Sequence, residues 1–389
     1  MKRISWWLAS LTTLAAAAVV AWPMASQQKV KLPKPRQLDS GVRFERDSAT
    51  SELKLYGADA PAPPAESGGG HAIRVRVNLV EVGANVIRTD GDPARGLTGD
   101  DFRLYEDRTE QKIAYFDAST QPAHVALVLD ASPSVLRESE EMKQSARMLV
   151  EALSPQDEVA VAEFSAHTYL LLPFSSNRAA PEQAVASVDV RKLFPDTGGS
   201  NIYEAVYLIA SGLFRDRTGR KAIILLTDGQ DSGLGLSWDP ASMKPRPGAQ
   251  SNRLTFEDVA RKLAAEGVEL YVISTQNRPR GMTAEWLAAH QDEALITPNA
   301  RELGMPHYTL FLAEMVRRAG GQIYFLRELG TLGEAYRRIA ESLSTQYTLG
   351  YYPSAGAGRQ GWHSLRVQLK NSPGARVIHR VSYYVPAGS

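Results

Sequence analysis

Three short segments of the sequence concentrate carboxylate and hydroxyl side chains. They are Asp130-Ala131-Ser132-Pro133-Ser134, Thr197-Gly198-Gly199-Ser200-Asn201 and Thr227-Asp228-Gly229. The first and third follow apolar runs that are typical of buried strands, and the second opens a helical pattern. Mg²⁺ prefers oxygen ligands in octahedral coordination and retains some of its waters. We therefore predict that Asp130, Ser132, Ser134, Ser200 and Asp228 hold a hard divalent cation, Mg²⁺ or alternatively Mn²⁺ or Ca²⁺.

Two further residues are secondary candidates. Thr197 offers a hydroxyl three positions before Ser200, but it precedes the two glycines and fits the spacing less well. Asp231 follows the third segment and either supports the ligands or is simply solvated. Each segment also has a structural interpretation, since Ser200 suits a helix N-cap and Asp228-Gly229 suits a turn. Because several of the ligands are neutral, the cation would retain positive charge and attract an acidic group from outside the chain.

The elements that must position these side chains alternate between strands and helices. An apolar run without polar interruption predicts a buried strand over 124–130, and two further apolar runs predict buried strands over 222–227 and 268–274. Amphipathic patterns predict helices over 139–153, 201–214, 255–265, 308–319 and 331–345. This alternation predicts an α/β fold with a doubly wound, mainly parallel sheet and helices on both faces. Ligands of such sheets bind at the carboxyl ends of the strands, where the three polar segments fall.

Short alternating strands flank this domain on both sides. They are predicted over 73–79, 102–106 and 112–116 before it, and over 364–369 and 377–385 after it. Each set has too few strands to be stable alone, so we predict one small β-sandwich built from both sets. The organisation is then a β unit over 71–118, the α/β domain over 122–350 and C-terminal strands over 351–389. Insertions near 233–253 and 276–306 overhang the ligand edge.

The N-terminal residues indicate the compartment. Lys2 and Arg3 precede an uncharged run over 4–22, which is typical of an export signal. Residues 1–26 are therefore predicted to be a signal peptide or an uncleaved anchor, which would be the only contact with a membrane. Either interpretation predicts a periplasmic, cell-envelope or secreted protein. Residues 27–70 are rich in Pro, Lys, Ala and Gly, a composition that predicts a disordered linker.

The polar segments, taken together, resemble the metal-ion-dependent adhesion site of the von Willebrand factor type A (VWA) domain. The resemblance spans residues 122–350, and Ser200 stands where that family usually has Thr. The flanks resemble VWFA-related proteins of acidobacterial type, through 96–102 with Glu106-Asp107 and through 347–353. The resemblance implies a Rossmann-like VWA fold, a Mg²⁺-type ion, and a protein partner whose Glu or Asp carboxylate completes the coordination of the ion.

Composition narrows the remaining functional classes. The 389 residues include no Cys, which excludes thiolate metal sites, disulfides and cysteine nucleophiles. Near-zero net charge, +1, argues against a general nucleic-acid binder. Lipase, zincin and P-loop motifs are absent, and the seven His are scattered. We therefore predict a non-enzymatic adhesion or scaffolding module. A Mg²⁺-dependent phosphotransfer or hydrolase-like enzyme and a structural envelope protein with a vestigial site are the alternatives.

Overall fold

In the computed structural model, an α/β domain is flanked by antiparallel sheets. The structure describes residues 30–47, 52–57, 79–89, 92–118, 121–132, 135, 139–188, 200–215, 217–231, 238–239, 244–245, 254–279, 281–283, 307–329, 331–353, 360–371 and 374–385. Several predicted features lie outside these residues: the N-terminal signal or anchor, the strand over 73–78, Ser134, Thr197 and most of both insertions.

The helices and strands of the described residues are named here in chain order. The strands are β1 (Arg36–Gln37), β2 (Arg43–Arg46), β3 (Leu53–Tyr56), β4 (Val80–Ile87), β5 (Phe102–Glu106), β6 (Thr109–Gln111), β7 (Ile113–Asp117), β8 (Ala123–Asp130), β9 (Glu158–Phe164), β10 (Thr168–Ser175), β11 (Arg220–Thr227), β12 (Trp238–Asp239), β13 (Lys244–Pro245), β14 (Val268–Ser274), β15 (Ile323–Phe325), β16 (Tyr347–Tyr351), β17 (Gly361–Leu369), β18 (Arg376–His379) and β19 (Ser382–Val385). The helices are α1 (Ser139–Ala152), α2 (Ala179–Ser187), α3 (Ile202–Gly212), α4 (Phe256–Glu266), α5 (His307–Ala319), α6 (Leu326–Leu329) and α7 (Leu332–Ser344).

The central sheet confirms the predicted doubly wound fold. Its order is β1-β10-β9-β8-β11-β14-β15, and β9, β8, β11, β14 and β15 run parallel. Alternate residues of β8 face opposite layers, with Val125 and Leu127 packed in one core and Ala126 and Val128 in the other. Helices α3, α4 and α5 cover one face, whereas α2 and α7 cover the other. The central strands are buried on both faces, and most of their residues are apolar.

The flanking strands form the predicted sandwich. One sheet has the order β18-β4-β16-β7 and the other β19-β17-β5-β6, so each combines strands from before and after the α/β domain. Phe102 and Leu104 of β5 share a core with Leu349 of β16 and Val367 of β17. The predicted strand over 377–385 is divided into β18 and β19. Among the described residues, no helix combines the length and apolar composition needed to cross a bilayer.

The segment predicted as a disordered linker over 27–70 is partly folded onto the α/β domain. Strand β1 pairs with β10 at the sheet edge, and β2 and β3 form a hairpin. Leu38 is buried in the same core as α3, and the ring of Phe44 meets that of Tyr207 edge-on at 5.7 Å. The prediction is wrong for residues 30–47 and 52–57, because a few apolar side chains dock on a preformed surface despite the polar average composition.

Arg46 provides the strongest polar contact of this hairpin, and its removal is expected to destabilise the protein. Its guanidinium donates two hydrogen bonds, of 3.1 and 2.6 Å, to the carboxylate of Asp258, whose side chain is 4% exposed. Asp258 also completes the capping box of α4. Because Arg46→Ala leaves this carboxylate without its counter-charge, we expect a loss of about 2 kcal/mol in the free energy of unfolding.

The matched control for this change is Arg43→Ala on the same hairpin. Arg43 pairs with Glu45, but the two side chains are 70% and 49% exposed. Exposed pairs contribute little, so we expect a change within about 0.5 kcal/mol. Urea unfolding followed by circular dichroism measures both variants. Equal losses for Arg43→Ala and Arg46→Ala would show that the contact with Asp258 does not hold the hairpin in place.

Candidate metal centre

The candidate centre begins at Asp130, the last residue of β8. Its side chain is fully buried, and each carboxylate oxygen accepts a hydrogen bond. The backbone N–H of Ser132 donates to Oδ1 at 2.9 Å, and the Thr227 hydroxyl donates to Oδ2 at 2.7 Å. Thr227 ends the neighbouring parallel strand β11, so the sheet register brings these two side chains together. The predicted convergence at the carboxyl ends of the strands is therefore seen for the first and third segments.

Asp228 stands beside this pair and is held by the turn that follows β11. It is 2% exposed, and Gln230 donates to it from the backbone N–H at 2.9 Å and from Nε2 at 3.1 Å. The turn requires glycine at 229, where φ is +86° and an added Cβ would lie 2.8 Å from Cδ1 of Leu312. The Gly229 N–H donates to the Thr227 hydroxyl at 3.0 Å, which fixes the direction of that hydroxyl.

Ser200 lies at the same edge, just before α3. The Asn201 N–H donates to the carbonyl of Ser165 at 2.9 Å, directly beyond the end of β9. The N–H of Ala131, next to Asp130, donates to the carbonyl of Phe164 at 2.8 Å. The chain after β9 therefore contacts both segments, and Ser200 itself is 6% exposed. Ser134 and Thr197 lie outside the described residues, so their roles stay predictions.

Asp231 connects the third segment to α3. Its Oδ2 accepts a hydrogen bond of 3.3 Å from the backbone N–H of Tyr203, in the first turn of the helix. A carboxylate in this position satisfies an otherwise unpaired helical N–H and complements the helix dipole. Of the two interpretations of Asp231, the contact favours support of the loops over simple solvation.

The electrostatics of the centre fit a cation. The pKa of Asp130 is raised to about 6, because burial and the nearby charge of Asp228 outweigh the hydrogen bonds from Ser132 and Thr227 that lower it. The two carboxylates are thus close together and poorly hydrated. A divalent ion would offset both the repulsion between the two carboxylates and the cost of their poor hydration. The donors around it are carboxylate and hydroxyl oxygens, which suit Mg²⁺. Asp130, Ser132, Ser200 and Asp228 are the described residues that would hold it.

In the absence of metal, the Asp130 carboxylate is expected to make the stability of the fold depend on pH. Its pKa is 3.8 ordinarily and about 6 in the fold, so the folded chain binds more protons than the unfolded chain between these values. In EDTA, stability is therefore expected to fall as pH rises through this window, and the loss persists above it. Asp130→Asn removes the titration and is expected to raise the free energy of unfolding by about 3 kcal/mol at pH 7. Urea unfolding across this pH range measures the free energy of unfolding. If that free energy depends on pH in Asp130→Asn as it does in wild type, the assignment is contradicted.

The structure adds residues that the sequence pattern did not assign. Thr227 was part of the third segment but not a candidate, although it contacts Asp130 directly. Tyr308 of α5 lies near Asp228, and partial burial together with the charge of Asp228 raises the pKa of the Tyr308 hydroxyl. A separate cluster joins Glu106, Asp107 and His363, whose ligand atoms lie within 4.8 Å of one another. Nothing in local spacing indicates that cluster, because strand pairing joins positions 256 apart.

Several solved structures are similar to this chain. An aerotolerance-related membrane protein from Bacteroides fragilis matches at 16% identity over 57% of this chain and 98% of its own, with a TM-score of 0.39. BatB from Bacteroides thetaiotaomicron matches at 18% identity over 57% and 97%, with a TM-score of 0.39. Proximal thread matrix protein 1 from the mussel byssus, with a zinc-occupied MIDAS motif, matches at 16% identity over 66% and 50%, with a TM-score of 0.38.

The family assignment rests on the match of a family model. That model is described as the von Willebrand factor type A domain and matches residues 124–297. Strands β8, β9, β11 and β14 and the described part of the candidate centre fall within this range. The narrower resemblance of the flanks to proteins of acidobacterial type stays a prediction. The chain therefore carries a von Willebrand factor type A domain, with its candidate metal centre at the carboxyl edge of that domain's sheet.

Proposed function

We propose that this chain is an exported, non-enzymatic protein-binding module that captures an acidic side chain of a partner. The observation that carries the proposal is the pair of buried carboxylates, Asp130 and Asp228, at adjacent strand ends. Their proximity and burial raise the pKa of Asp130, which favours binding of a divalent cation. Domains of the VWA family commonly bind protein partners through a metal ion at this edge.

The chemistry of the edge favours binding over catalysis. When bound, a Mg²⁺-type ion supplies a coordination position that a carboxylate of a partner can occupy. Two carboxylates balance the two charges of the ion, and the other ligands are neutral hydroxyls, so a partner's carboxylate can outcompete water for the remaining position. The three polar segments contain no Lys or His, the residues that would bind a transferred phosphate or act as a general base. A partner presenting a Glu or Asp side chain therefore fits this edge better than a reacting substrate.

The compartment belongs to the same proposal. Lys2, Arg3 and the uncharged run over 4–22 support export to the periplasm, the cell envelope or the medium. An acidic partner would then be an envelope or extracellular protein. A partner in the cytoplasm would be incompatible with this part of the proposal. Fractionation of cells producing the full chain tests it, since recovery in the cytoplasmic fraction alone would contradict export.

The experiment for binding is capture of envelope proteins on the immobilised full chain, in Mg²⁺ and in EDTA. We expect a partner retained in Mg²⁺ and released by EDTA, with no retention by Asp130→Ala. Methylation of carboxyl groups in the extract is expected to abolish capture, because it removes the acidic ligand. Capture that is equal in EDTA, or equal for wild type and Asp130→Ala, would overturn the proposal. Binding of Mg²⁺ without Mg²⁺-dependent capture would also contradict it.

A further inference from the structure

A second cluster of metal-ligating side chains lies in the sandwich, away from the edge of the VWA sheet. Nδ1 of His363 is 2.8 Å from Oδ2 of Asp107 and 3.3 Å from Oε1 of Glu106. Glu106 and His363 are each 7% exposed, whereas the Asp107 side chain is 44% exposed. We propose that these three side chains form a separate site for a Zn²⁺-type ion, with an open position on the Asp107 side.

The separations suit such an ion. A tetrahedral site with bonds of ~2.0–2.1 Å to imidazole nitrogen and carboxylate oxygen has ligand atoms ~3.3 Å apart. The distance between His363 and Glu106 already has this value, 3.3 Å. Asp107 would need to move by a few tenths of an ångström, and its exposed side chain has room to do so. One imidazole and two carboxylates are a ligand set for zinc, not the all-oxygen set of the VWA edge.

Charge and hydrogen bonding in the cluster give an independent reason to expect a cation. In the part of the chain that the structure describes, His363 is the cationic partner of Glu106 and Asp107, so one imidazolium at most faces two carboxylates. The hydroxyl of Tyr351, a fully buried residue, lies beside Glu106 and Tyr383. Burial raises the pKa of this hydroxyl, and Tyr383 and Glu106 contribute to the rise. The cluster thus sets two carboxylates against a single imidazole.

Neighbouring residues hold the three ligands in place through hydrogen bonds and a ring contact. Ser364 donates to Oδ1 of Asp107 from its N–H at 2.9 Å and from its hydroxyl at 3.2 Å, leaving Oδ2 directed to His363. The Tyr383 hydroxyl donates to Glu106 at 2.8 Å, and its ring stacks on the imidazole at 5.1 Å. Ser364 therefore orients Asp107, and Tyr383 orients both Glu106 and His363, which is the kind of support that preorganises metal sites.

The backbone of Asp107 also departs from ordinary geometry. The turn between β5 and β6 has positive φ at two residues that are not glycine, +46° at Asp107 and +69° at Arg108. Such residues cost roughly 1–3 kcal/mol each and persist where surrounding contacts impose them. The turn carries Asp107 to the wall of a cleft of about 810 Å³, which Ser364 and Arg108 also line. An ion held here would be reachable from solvent through that cleft.

Zinc binding by the Asp130→Ala full chain, purified without a tag, tests the site separately from the VWA edge. We expect about one Zn²⁺ per chain by calorimetry, and a loss of at least about 100-fold in affinity when His363→Gln is added, since even changes to residues that only hydrogen-bond to ligands cost about 10–100-fold. The matched control is His167→Gln, which removes a histidine paired with a single carboxylate, Asp39, at 2.6 Å. It is expected to leave Zn²⁺ affinity unchanged.

Two outcomes would overturn the site. One is absence of Zn²⁺ binding by the folded Asp130→Ala chain, and the other is equal affinity with and without His363→Gln. Should His363→Gln fail to fold, Co²⁺ added to the Asp130→Ala chain decides the matter through its visible spectrum. Intense bands typical of Co²⁺ bound tetrahedrally by nitrogen and oxygen support the proposal if Asp107→Asn weakens them. The spectrum of hydrated Co²⁺ refutes the proposal. Because the VWA edge is disabled throughout, failure here leaves the proposed function untouched.

Discussion

Replacing Asp130 with Ala is expected to lower the affinity of the chain for Mg²⁺ by about 100-fold or more. The fully buried carboxylate is one of two charges at the edge, and its hydrogen bonds to Ser132 and Thr227 align the loops that carry the other oxygen donors. Its loss removes half of the negative charge at the edge and also the alignment of the loops. In metal sites, the loss of orienting contacts alone lowers metal affinity by about 10–100-fold. Calorimetric titration with Mg²⁺ measures the change, in the full chain at low ionic strength.

The matched control is Asp157→Asn, which changes another buried carboxylate of the same sheet. Asp157 is 4% exposed and lies just before β9, at the opposite edge, where it accepts hydrogen bonds from the N–H groups of Ala123 and Ser154. Asn keeps one acceptor oxygen, so we expect some loss of stability but no change in Mg²⁺ affinity. Equal Mg²⁺ affinity in wild type and Asp130→Ala would exclude the centre, and equal weakening by Asp157→Asn would indicate a general effect of folding.

Gly321→Ala is expected to give the largest loss of stability among substitutions that only add a methyl group. Gly321 lies between α5 and β15, where an added Cβ would be 2.0 Å from the carbonyl oxygen of Leu270 and 2.5 Å from its carbon. Both atoms belong to the backbone of β14, which is hydrogen-bonded to the chain after Gly321, from Val272 N–H to the Gln322 carbonyl at 2.9 Å. Neither the backbone at Gly321 nor that of β14 can move away without separating the two strands. We therefore expect the free energy of unfolding to fall by about 3 kcal/mol or more.

Gly212→Ala is the matched control for that change. Gly212 ends α3, and an added Cβ would meet no atom within 4 Å. Alanine is the better helix former, so we expect the free energy of unfolding to stay within about 1 kcal/mol of wild type, on the stabilising side. Urea unfolding of both variants measures the difference. A Gly321→Ala chain as stable as Gly212→Ala would mean that β15 does not pack against β14 as described.

The central strands could be predicted from the apolar runs in the sequence. Other elements depend on contacts that form only in the folded chain. Strand β4 alternates apolar residues with Glu81, Gly83 and Asn85, which are residue types depleted in strands. Gly83 is explained by the fold, since an added Cβ would lie 2.7 Å from Nε2 of Gln346. Helix α2 has no counterpart among the predicted helices. Its Pro181 lies in the first turn, where proline is tolerated because the N–H groups there lack helical partners.

The two candidate sites show the same contrast. Asp130 and Asp228 follow strands whose parallel pairing could be inferred, so their meeting at one edge was predictable. Glu106 and His363 meet because β5 pairs with β17, with Leu365 opposite Glu106. That pairing brings together strands from opposite ends of the chain, and its register is set by the core of the sandwich. No local pattern specifies such a register, which is why His363 looked like an isolated histidine.

The VWA domain is inserted in the chain between two neighbouring strands of the sandwich. The chain leaves at the end of β7 and returns through β16, and Asp117 of the first lies opposite Thr348 of the second. Strand β16 is also bonded to β4 on its other side. A stretching force transmitted along the polypeptide from β7 to β16 would therefore be borne by the hydrogen bonds between these strands. The domain would carry no tension, and its metal-binding edge would keep its geometry, until those strands came apart.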